Sequence, residues 1–90
     1  MTESDKARQV LATLQSAEAA APDAALPLLN GLVGVLRSAG GEQPFEVEDA
    51  RASAFLAICE IGKALHRGLP AEPLWTAAIA ATERWVAAAR

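Results

Sequence analysis

The chain holds one cysteine, Cys59, and one histidine, His66. Nucleophilic catalysis by such a pair needs the thiol within hydrogen-bond reach of the imidazole. The two lie seven residues apart, on the same side of what reads as one helix. At about 1.5 Å of rise per residue they stand roughly 10 Å apart, too far for a dyad within one chain. Cys59 then reads as a small apolar core residue. A structural zinc site needs about four Cys or His ligands, and these two residues cannot supply them. Glu46 and Asp49 share a helix face with Glu42 nearby, but carboxylates collect at helix N-termini for dipole reasons alone. His66 beside Lys63 and Arg67 has the look of a phosphotransfer site only in being helical and basic, and helix C-termini attract such residues. The expectation is no catalytic residue, no metal ligand and no cofactor.

Gly31 and Gly34 do not make a phosphate loop. No strand precedes them and no Lys-Ser/Thr follows. With Ser38 they form a strip of small residues on an apolar helix, which predicts the close approach of another helix.

Three positions interrupt otherwise simple packing. Leu56 falls on the polar side of its helix, among Asp49, Glu60, Lys63 and Arg67, with Ala52, Cys59 and His66 bordering it. That makes a second, partly apolar stripe and a candidate contact. Arg51 intrudes on an apolar stripe between Val47, Phe55 and Ile58, and Glu18 on another beside Leu11 and Leu14. A buried charge needs a partner, so Glu18 and Arg51 are expected to pair, unless each stem packs while its head reaches water. Both tryptophans, Trp75 and Trp85, fall on the last helix and are candidates for core or for a binding surface.

These residues are positioned by four helices. Helical periodicity runs throughout, and no segment alternates with period two. The first helix spans about Ser4 to Ala20, capped by Thr2 or Ser4 and ended by Pro22-Asp23. The second runs from about Ala24 or Pro27 to Ala39 and stops at Gly40-Gly41. The third runs from about Glu46 to Arg67. Gly68 follows as its left-handed cap residue, Leu69 can fold back, and Pro70 blocks continuation. The fourth starts near Ala71 to Pro73 and reaches Ala89. Short connections favour antiparallel neighbours, so the fold class is all-α: two antiparallel helical hairpins packed as a small bundle in a single domain.

Of the apolar side chains, 22 are alanine and only 23 are Leu, Val, Ile, Phe or Trp. Alanine favours helix but buries little area, so the core is thin and a second copy would help it. On the second helix the apolar residues span an arc of roughly 160°, against about 100° for one core face. That predicts self-association through Leu28, Leu32 or Val35, with Leu56, Trp75 and Trp85 as further contacts.

The net charge of −3 is spread along the chain. No basic stripe exists for phosphates and no polybasic segment for an anionic membrane, so neither nucleic acid nor membrane is expected. A helix-turn-helix is the weakest possibility, because the last helix presents Trp, Ala and Ile where base-reading residues should stand. The lone cysteine and the acidic N-terminal residues fit a cytoplasmic protein. The leading expectation is a small non-catalytic helical interaction protein: an accessory, adaptor or inhibitor subunit, acting as a homodimer or with a protein partner. The alternatives are a module holding a small apolar ligand near Trp75, Trp85 and Phe55, or an enzyme whose site, drawing on Arg51, Glu18 or His66, forms only across an oligomer.

Overall fold

A computed structural model describes residues 2–38 and 43–90. Among them are four α-helices and no strand: α1 (Glu3–Glu18), α2 (Pro22–Ser38), α3 (Phe45–His66) and α4 (Glu72–Ala88). Each helix packs on its neighbour in sequence, and α4 closes the ring by packing on α1. The result is two antiparallel helical hairpins joined as one bundle, 37 × 21 × 17 Å.

The helix ends follow from local chemistry. Thr2 Oγ1 accepts from the Asp5 backbone N–H at 3.1 Å, and the Thr2 N–H donates to Asp5 Oδ2 at 3.1 Å. This reciprocal pair is a capping box, which satisfies two donors that the first turn leaves open. The Thr2 backbone N–H, then the Thr2 hydroxyl and the Arg8 guanidinium, hold the Asp5 carboxyl below its ordinary range. At the C-terminal end of α3, the longest described helix, Gly68 takes φ of 69°. Its N–H donates to the Leu65 carbonyl at 3.2 Å, and the Leu69 N–H donates to the Ala64 carbonyl at 2.8 Å. That is the Schellman pattern the sequence predicts, although the Leu69 side chain stays exposed.

One boundary differs from expectation. Pro22 opens α2 instead of marking the end of α1, because a first-turn proline loses no helical hydrogen bond and arrives with its φ already set. Pro27 therefore lies inside the helix, where its missing N–H leaves one rung of the ladder unmade. It sits on the exposed side. The predicted stop at Gly40-Gly41, the end of the second helix at Ala39, and Glu42 all lie outside the described residues.

The core repeats at helical spacing: Val10, Leu14 and Ala17 on α1; Leu29, Leu32 and Leu36 on α2; Ala54, Ile58 and Ile61 on α3; Trp75, Ala78 and Trp85 on α4. Trp85 is fully buried and is the largest side chain that is, so it fills the volume that its alanine neighbours leave. Thr82, also fully buried, satisfies its hydroxyl by donating to the Ala78 carbonyl at 2.8 Å. The wide apolar arc of α2 has an internal explanation. A helix in a four-membered ring has two neighbours, here α1 and α3, and Val35 packs against the flank of the core.

The glycine strip does not do what its composition predicts. Gly31 and Gly34 are exposed, and a Cβ on either would meet nothing within 4 Å. Gly31 borders the groove between α1 and α2, but among the described residues no neighbouring helix packs onto either glycine. No described helix is long and apolar enough to cross a membrane.

Candidate functional site

A groove of about 370 Å³ lies between α2 and α3, lined by Leu36, Glu48, Arg51, Ala52, Phe55 and Leu56. Its apolar side comes from α3 residues at three- and four-residue spacing, with Leu36 closing it from α2. Leu56 stands 65% exposed on its rim, and Phe45, on the same face of α3 about three turns earlier, is 81% exposed. These are the two most exposed large apolar side chains among the described residues. Phe45 was missed in the sequence because it falls at the very start of α3, ahead of the first residue that fits the periodic pattern.

The polar wall of the groove is an ion-pair cluster. Arg51 Nη1 donates to Glu3 Oε1 at 2.6 Å, and Arg51 Nη2 donates to Glu48 Oε2. Trp85 Nε1 donates to the same Glu3 oxygen at 3.3 Å. The Glu3 side chain is only 7% exposed and that of Arg51 14%. A carboxylate this deep costs several kcal/mol to desolvate, on the order of what a paired guanidinium returns. The cluster ties the first residue of α1 to α3 and α4. It holds Arg51 in place and leaves its guanidinium no freedom to serve as a mobile binding group.

Glu18 and Arg51 are therefore not a pair. Glu18 is the last residue of α1 and is exposed, whereas the acid that Arg51 meets, Glu3, is the first. The sequence signal was sound in part: Arg51 does sit against the core and does require an acid. The acid stands not among the apolar positions of α1 but at its first residue, from which Glu3 reaches Arg51.

The other candidate contacts divide. Trp75 and Trp85 are buried, which removes them as an exposed binding surface. Only Phe55, the third residue of the expected ligand pocket, lines a groove. Leu32 is 2% exposed and belongs to the core. Leu28, 39% exposed, and the partly buried Val35 line a smaller groove of about 250 Å³ between α1 and α2, with Gln9, Thr13 and Pro27. Leu56 is the predicted contact that stands most openly at the surface. Cys59 is half-buried and His66 exposed. Among the described residues, no three His, Cys, Asp or Glu side chains gather as a cation site would need.

Comparison with protein-family models, with curated proteins and with solved structures finds no match.

Proposed function

We propose that this chain is a small helical interaction protein, working through contact with protein surfaces and associating with itself. The observation that carries this is the pair of exposed apolar side chains on α3, Leu56 on the rim of the α2–α3 groove and Phe45 at the start of the helix. A domain of this size has little core to spare, and leaving two large apolar side chains exposed on one helix forfeits burial worth about 1.5–3 kcal/mol each. Grouped exposed apolar residues rimmed by charge mark contact surfaces more than chance placement. The lone half-buried cysteine suits a cytoplasmic setting.

Sedimentation equilibrium over a wide concentration range tests this. The expected result is a mass rising above the 9.4 kDa of one chain. A mass fixed at 9.4 kDa into the high micromolar range would overturn self-association.

A further inference from the structure

On the outer stripe of α3 an acid and a base stand at equal distances on either side of one apolar residue, and an aromatic ring and a guanidinium at larger equal distances. Taking Leu56 as the origin, Asp49 lies seven residues before it and Lys63 seven after; Phe45 lies eleven before and Arg67 eleven after. At 100° per residue all four fall within about 20° of Leu56 around the helix. Asp49, Leu56, Lys63, Phe45 and Arg67 are all exposed. The sequence assigns Asp49 to the helix dipole, but α3 begins at Phe45, which makes Asp49 its fifth residue, beyond the first turn where that preference acts. Asp49 makes no ion pair within the described residues. Lys63 donates to Glu60 at 3.2 Å, but that pair is more than half exposed on both sides and costs little to exchange.

We infer that α3 pairs with α3 of a second copy of this chain, antiparallel, about a two-fold axis passing at Leu56. This rests on the interaction-protein reading above and adds the occupant and the register. An isologous contact requires a patch complementary to its own rotated image. Antiparallel pairing sets residue 56−k of one helix opposite residue 56+k of the other. Leu56 then meets Leu56 of the second copy. Asp49 stands opposite Lys63 on both sides of the axis, each pair about 10 Å from it along the helix. The Phe45 ring stands opposite the Arg67 guanidinium, a cation–π arrangement. A different protein partner would have no need of this internal symmetry.

Charge reversal tests the register directly. In Asp49→Lys, both sides of the interface set Lys against Lys; in Lys63→Asp, both set Asp against Asp. Each single variant is expected to raise the dimer dissociation constant by roughly tenfold or more. An equimolar mixture of the two is expected to form a heterodimer with near wild-type affinity, because every pair is again opposite in sign. That rescue also shows that both variants are folded, as would their unchanged circular dichroism. Dimerisation of the single variants with wild-type affinity would overturn the α3 register while leaving self-association standing, and so would failure of the mixture to recover. A wild-type chain that never exceeds monomer mass would overturn self-association and the register with it.

Discussion

Replacing Gly31 and Gly34 with alanine should stabilise the protein substantially. Both lie in the interior of α2, neither has positive φ, and an added Cβ at either would touch nothing within 4 Å. No steric term opposes the substitution. What remains is backbone entropy: glycine in a helix interior costs about 0.8–1 kcal/mol relative to alanine, partly by leaving the unfolded chain more states to lose. The pair is worth about 2 kcal/mol, a large share of the roughly 5–15 kcal/mol typical of a domain. For a chain of this length each kcal/mol moves Tm by about 4–8 °C, so the double variant should melt roughly 8–16 °C higher. Thermal melts followed by far-ultraviolet circular dichroism, and urea midpoints at unchanged m-value, measure this. An unchanged or lowered Tm would refute the reasoning. It would mean that the strip is in close contact with something outside the chain, and that α2, not α3, carries the interface.

Arg51→Met should cost about 3–5 kcal/mol, because it strands the Glu3 carboxylate with its side chain 7% exposed; adding Glu3→Gln should recover much of that loss, while Glu18→Leu stays within about 0.5 kcal/mol, all read by urea denaturation. Trp85→Ala should cost about 3–5 kcal/mol by the same assay, since it empties the largest fully buried site in the core. The Asp5 carboxyl is held below its ordinary range, so its stabilising contribution is complete above the unfolded-state pKa and fades as pH falls through the lower folded-state pKa. The stability gap between wild type and Asp5→Asn should therefore be widest near neutrality and shrink in acid; a gap that grows toward low pH would contradict that linkage.

The fold was readable because its strongest signals are local. The Gly68-Leu69-Pro70 stop encodes a backbone conformation that few residues other than glycine adopt, and the Thr2 cap needs only residues three positions apart. The failures came where meaning depends on neighbours. Pro22 looks like a helix stop until one knows that the chain turns within Ala19–Ala21 and needs a first-turn residue straight afterwards. The small strip of Gly31 and Gly34 has the composition of a close helix crossing, but a crossing takes close contact, and no neighbouring side chain comes within 4 Å of a Cβ at either position. The charge of Arg51 announced an acid partner. Glu3 could not be told from the other acids, because its contact with Arg51 spans 48 residues. Leu56 was legible as an exception to a polar face. The symmetry around it was also present in the sequence, but only exposure of all its members turns that spacing into a surface.

The proposed interaction face is tested most directly by the concentration dependence of backbone amide chemical shifts across the whole chain. On raising the concentration, the amides of Ala52, Leu56, Glu60 and Lys63 should move together along one saturating curve, while those of Gly31 and Gly34 on α2 stay fixed. Shifts that never change with concentration, or that move on α2 and not on α3, would contradict an interaction protein built around the outer stripe of α3.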